Sequence, residues 1–256
     1  MNSYYPLSQG DLHLLEICPP QFEKIYWHKQ PEPRHLKYQE KAQWGKSFHL
    51  LMQQYNLGLN IENLSIAHPE LVHQAQALIA KTQNIWQAPE IIFRQAEYQV
   101  NYTIENFIFT VIYDLLVFFP DQAIIMDWKT YREPQNKEKI INNWQTKLYL
   151  YVLAEKFNYT PEQISFDYWF VTSAAKIEQY SIAYSTSFHE QIKQELNTLL
   201  NKFKLLVNNF YGQNISFPHA DNCEQCPYHD SFQEDKKKES NIPIFTSFDE
   251  IEMINL

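Results

Sequence analysis

The stretch YDLLVFFPDQAIIMDWKT (113–130) sets two carboxylates and an amine at the ends of otherwise apolar runs. Asp114 precedes LLVFF, Asp127 closes AIIM, and Lys129 follows two residues later. Pro120-Asp121 is a turn signal, so the stretch reads as a β-hairpin. A charge at the end of an apolar strand is costly unless it is paired or bound to metal. Alternation puts Asp127 and Lys129 on one face of their strand, and pairing around the turn brings Asp114 level with Asp127. Carboxylates that close raise one another's pKa. A hard divalent cation, Mg²⁺ or Mn²⁺, resolves the conflict. An amine beside it could hold or polarise a water or a phosphate oxygen, and such a set suits metal-assisted phosphodiester hydrolysis. A structural Asp–Lys pair at a strand end explains the hairpin alone equally well. The spacing itself carries little, because EDKKK (234–238) contains it twice, in what reads as a solvated charged run.

Several elements must position these groups. Residues 7–28 suggest two short helices, with Ser8 as a cap and Pro19-Pro20 between them. Trp44, Phe48, Leu51, Met52 and Tyr55 recur at helical spacing within 40–57, and a further helix is expected from Pro69 to Trp86. Three strand signals follow, in 91–103, 106–119 and 122–130, consistent with an antiparallel meander. A helix over 139–157, two strands in 164–172 and 176–184, and a long amphipathic helix over 187–209 complete the order. This alternation predicts an α/β fold with a mixed sheet flanked by helices.

Composition bounds the function. The 256 residues are 45% hydrophobic, enough for a sizeable core in one large domain. No apolar run is long enough to span a bilayer, and the first twenty residues lack the pattern of a signal peptide. The chain is therefore read as cytoplasmic, without a membrane partner. Four glycines cannot build a phosphate-binding loop or a dinucleotide fingerprint, so no ATPase motor of that type is expected. A net charge of −9 gives no general attraction for nucleic acid, although a local field can still do so. Three cysteines argue against a disulfide framework. The boundaries expected are a domain over 1–232 and a charged linker with an acidic, apolar tail over 233–256.

Four landmarks in order give the chain a family likeness: GKSFH with His49, IYD with Asp114, DWKT with Asp127 and Lys129, and QTKLY with Gln145 and Tyr149. With LSQGDLHLLEICPPQF near the start and CEQC near the end, the chain resembles the PD-(D/E)xK nuclease superfamily over roughly residues 7–232. The likeness is to its RecB-like branch, which includes CRISPR-associated RecB-type exonucleases and AddB-type nuclease domains. It implies a restriction-endonuclease-like core. It also implies that His49, Asp114 and Asp127 bind metal, with the Trp128 carbonyl as a further ligand and Lys129 as the catalytic lysine. Gln145 and Tyr149, at i and i+4 on one helix face, would lie beside the site and meet substrate. Glu97 is the weaker candidate for a metal-site carboxylate. Read one by one, His49 is a core histidine, Gln145 and Tyr149 are plain helix residues, and Glu97 is a surface charge. The sequence departs from the family at Val111, where a small residue is common, and at Tyr113, where proline is common.

Many such relatives hold an iron–sulfur cluster with one cysteine near the N-terminus and three near the C-terminus. Cys18, Cys223 and Cys226 match three of those positions, and the fourth falls near Phe232. A four-thiolate cluster cannot form within this chain. Three readings stay open: a decayed site of small apolar cysteines, zinc held by His219, Cys223, Cys226 and His229, or a cluster with His229 as fourth ligand.

The expected function is a metal-dependent DNA nuclease. The resemblance suggests an exonuclease on single strands or DNA ends, working alone, beside a helicase or with CRISPR adaptation proteins, in repair, recombination or spacer acquisition. The alternatives are a non-catalytic DNA-binding or scaffold subunit that retains the fold, and a zinc-organised interaction module at Cys223 and Cys226.

Overall fold

Ser8 starts the first helix by a reciprocal cap: its Oγ accepts from Asp11 N, and the Asp11 carboxylate accepts from Ser8 N. Helix α1 (Gln9–Ile17) ends at Cys18, and Pro19 opens α2 (Pro19–Tyr26) at the position where its missing N–H costs nothing. The structure, a computed structural model, describes residues 4–30, 36–64, 68–131, 136–172 and 176–219. The tail over 233–256 and the residues Cys223, Cys226 and His229 lie outside the described residues.

The sheet has six strands: β1 (Tyr5–Leu7), β2 (Phe93–Ile104), β3 (Phe107–Phe118), β4 (Ala123–Lys129), β5 (Ile164–Val171) and β6 (Ile177–Ala183). The meander β2–β3–β4 is antiparallel, β4 pairs parallel with β5, and β5 pairs antiparallel with β6. Parallel β4 and β5 require a crossover, which α6 (Glu138–Ile141) and α7 (Trp144–Lys156) supply. β2 runs along the whole of one edge of β3. Its other edge is shared, with β1 on residues 107–109 and β4 on residues 115–118. The intervening residues, 110–114, open a gap that ends at Asp114.

Helices cover both faces, which is why β4 and β5 read as near-continuous apolar runs rather than alternating ones. On one face Phe22, Phe107, Phe109, Leu148, Phe166 and Phe203 join α1, α2, α7 and α8 (Thr186–Gln213) to the sheet. On the other, Phe48, Met52, Val72, Met126, Trp128 and Trp169 join α3 (Leu36–Asn56) and α4 (Pro69–Lys81) to it. Past α8, Phe217 stacks on Phe22 and its N–H donates to the buried Glu23 carboxylate on α2.

Two expected helices are each broken in two. The Thr82 hydroxyl turns back to Leu78 O and accepts from Trp86 Nε1, separating α4 from α5 (Gln83–Gln87). Asn143 caps α7 through Gln145 N and so parts it from α6. Strand β1, three residues long, is too short to show in the sequence pattern. Among the described residues no helix is long and apolar enough to cross a membrane.

Candidate active site

The site begins with a paired defect in the meander. Ala96 lies opposite Leu115 and Tyr98 opposite Tyr113, so Glu97 falls opposite Asp114, where the run of pairs is interrupted. On the hairpin-turn side of this position Leu115 and Val117 face the α3–α4 core; on the other side Val111 and Tyr113 face the α7–α8 core. β2 makes the same exchange, with Ala96 in the α3–α4 core and Tyr98 and Val100 in the other. Alternation therefore slips by one residue in both strands at once while register is kept. Glu97 carries the slip with φ of +50°, a left-handed conformation that a side chain with a Cβ adopts at a cost.

The slip frees two carboxylates from either core, and α3 brings a histidine to them. His49 Nδ1 lies 3.2 Å from Asp114 Oδ1 and 3.6 Å from Glu97 Oε1. One ligand atom from each of His49, Glu97 and Asp114 falls within 4.8 Å of the others. The other oxygen of Asp114 accepts from Trp128 N at 2.8 Å, fixing that carboxylate on β4. Glu97 Oε1 is buried with no hydrogen-bond partner. Burial alone would lower the His49 pKa, but the adjacent carboxylates of Asp114 and Glu97, with the charge of Asp127, raise it to about 10. The ring proton sits between the two carboxylates, and a cation bound at Nδ1 would take its place. Two hard oxygen donors and one nitrogen donor, with one carboxylate oxygen orphaned, suit a divalent cation such as Mn²⁺ or Mg²⁺.

A second array adjoins the first. Asp127 and Lys129 project from the same side of β4, toward α7. Lys129 Nζ sits 2.7 Å from Asp127 Oδ1 as an ion pair and donates to Gln145 Oε1 at 3.0 Å. Gln145 Nε2 donates to Asp127 Oδ2 at 2.6 Å, closing a three-residue ring. Asp127 is almost fully buried. Burial and the charge of Asp114 raise its pKa in spite of Lys129. Burial would lower the Lys129 pKa, but Asp127 and Asp114 hold it above the ordinary lysine value, so the group stays an ammonium.

Of the residues singled out from sequence, His49, Glu97 and Asp114 converge in one group, and Asp127, Lys129 and Gln145 in the adjoining ring. Asp127 is engaged by Lys129 and Gln145 and is not among the three grouped ligands. The Trp128 carbonyl meets His49 Nε2 at 3.1 Å. Tyr149 is buried, stacked on Phe166 and edge-on to Tyr113, with its hydroxyl against the Ile112 backbone and the Gln145 side chain. Its hydroxyl meets Gln145 from within the core. Cys18 is buried at the α1–α2 junction, and His219 is exposed at the end of the described chain. The prominence of Glu97 was not readable, because QAEYQ holds no glycine or asparagine to announce a left-handed residue.

Comparison with curated proteins returns no match. Among solved structures, a presumed exonuclease from Eubacterium rectale aligns over 95% of this chain and 90% of its own, at 11% identity and a TM-score of 0.51. That likeness is one of fold. SSO0001 aligns over 76% of this chain and 75% of its own, at 12% identity and a TM-score of 0.35. The family model of the PD-(D/E)XK nuclease superfamily matches residues 6–231. A match over that span, on a six-stranded mixed sheet between helical layers, shows that this chain belongs to the PD-(D/E)XK nuclease superfamily.

Proposed function

We propose that the chain is a metal-dependent deoxyribonuclease that hydrolyses phosphodiester bonds in single strands or at DNA ends. The observation that carries the reading is the adjacency of two arrays: the His49–Glu97–Asp114 donor set and the ammonium of Lys129 locked by Asp127 and Gln145. A divalent cation bound by that donor set supplies Lewis acidity and lowers the pKa of a bound water. Asp114, tied to the β4 backbone, and Glu97, held by the strand slip, keep their carboxylates in place before any ligand arrives. Lys129, held as a cation by Asp127, is placed to act as a donor. Its N–H groups donate to the phosphate oxygens on which charge builds as water adds to phosphorus and the bond to the leaving oxygen breaks. Asp127 and Gln145 fix the direction of those donors.

The test is degradation of end-labelled single- and double-stranded DNA with Mn²⁺ or Mg²⁺, comparing wild type with Lys129→Ala. Metal-dependent cleavage that is lost in the variant supports the reading. A folded wild type that binds metal and cuts neither substrate overturns it.

A further inference from the structure

Two cavities flank the paired arrays. The larger, of about 520 Å³, adjoins His49 and Glu97 and is lined also by Gly45, Lys46 and Gln53 of α3. The smaller, of about 210 Å³, lies on the lysine side, between Lys129, Tyr131, Lys139, Asn143, Tyr168 and Phe170. Its chemistry differs from that of the donor set, being three aromatic rings with two cations. Phe170 is buried, and Tyr168 is buried with its hydroxyl hydrogen-bonded to Thr146, so these rings form a fixed floor. Lys129 Nζ lies 5.7 Å from the Tyr168 ring centroid. Tyr131 stands at the mouth, edge-on to Phe170 at 5.9 Å and 54% exposed. Tyr131 thus offers an open ring beside the Lys129 ammonium, over a cavity floored by two buried rings.

We propose that the smaller cavity is a base subsite, in which Tyr131 stacks on one unpaired nucleobase next to the phosphate held at Lys129. This rests on the nuclease reading and extends it to the form of the substrate. A base inside a duplex has both faces covered by its neighbours, whereas an unpaired base can offer one face to a protein ring. Stacking of this kind tolerates every base, because each has a π-face. Lys139 supplies a cation at the cavity edge for the neighbouring phosphate. Tyr131 is thereby a specificity-determining residue for single strands.

The test measures binding by fluorescence anisotropy in EDTA, in an Asp127→Asn background that removes the buried carboxylate paired with Lys129. The probes are a labelled oligothymidylate and an abasic oligomer of the same length. Tyr131→Ala should weaken oligothymidylate binding roughly 5- to 150-fold and leave the abasic oligomer unchanged, with Tyr131→Phe close to the parent. Tyr131 is more than half exposed, so the alanine variant should fold, which circular dichroism checks. Equal binding of oligothymidylate with and without the ring, or an equal loss on both probes, overturns the subsite. Metal-dependent cleavage by the wild type is scored separately. Cleavage with an unaffected Tyr131→Ala leaves the nuclease reading standing without the subsite, and ring-dependent binding without cleavage does the reverse.

Discussion

Glu97 and Asp114 face each other across β2 and β3 at the step where both strands exchange the core that their side chains enter. The exchange takes two carboxylates out of the packing pattern and points them at His49. It is held by a backbone conformation that glutamate adopts at a cost of about 1–3 kcal/mol.

That cost can be released. Glu97→Gly should raise stability by about 1 kcal/mol, since relief of the left-handed residue and of an orphaned carboxylate oxygen outweighs the flexibility of glycine. Glu97→Ala keeps the left-handed residue and should gain less. Both should lose Mn²⁺ affinity. Urea unfolding beside calorimetric titration separates the two effects, and a destabilised glycine variant would refute the strain.

Lys129→Ala leaves Asp127 buried without its cation. Removing one partner of a buried pair costs about 3 kcal/mol or more, so the variant should be both inactive and destabilised. Adding Asp127→Asn should recover most of the stability and none of the activity. Recovery of cleavage in the double variant would show that Lys129 does no more than neutralise Asp127.

Gln145→Ala removes the group that bridges Asp127 and Lys129. Turnover should fall about 10- to 100-fold, as for residues that orient a reactive group. Mn²⁺ affinity should change little, because Gln145 touches none of the three grouped ligands. Single-turnover cleavage with parallel metal titration reads both.

Metal should stabilise the wild type. At a free Mn²⁺ concentration one hundred times Kd the gain is about 2.7 kcal/mol, visible as a higher Tm. His49→Ala and Asp114→Asn should abolish the shift, since each removes one donor of the set. A full shift in either variant would place the cation elsewhere.

Glu23→Ala should cost about 1–3 kcal/mol, because it strips the buried Phe217 N–H of its acceptor. Activity at a temperature where the variant is folded should be retained. Thermal melts with and without the substitution give the comparison.

Much of this was legible in the residues. Ser8 with Asp11, the apolar runs of β3 and β4, and the Asp127–Lys129 spacing carry their own physical signatures, and the meander follows from them. The burial of the sheet on both faces shows in the apolar run AIIM of β4. What could not be read is non-local. Glu97 becomes important through a slip that is shared with a strand it meets only after folding. Asp127, expected among the metal ligands, also meets Gln145, a contact that only the packing of α7 on β4 creates. Tyr149 shares a helix face with Gln145, yet one turn further along that face lies in the core.

The Glu23–Phe217 contact joins residues 194 positions apart. Phe22, next to Glu23, packs on both Phe203 and Phe217, so the first core cannot close on its α2 side until the end of α8 exists. During synthesis the N-terminal helices must wait, with apolar faces open, while nearly the whole chain emerges. Loop closure over that distance makes their docking a late and slow step. The α3–α4 layer and the meander lie within residues 36–129, although their core also takes Trp169 and Val171 from β5. The first core is thus closed where α2 meets Phe217, just past α8.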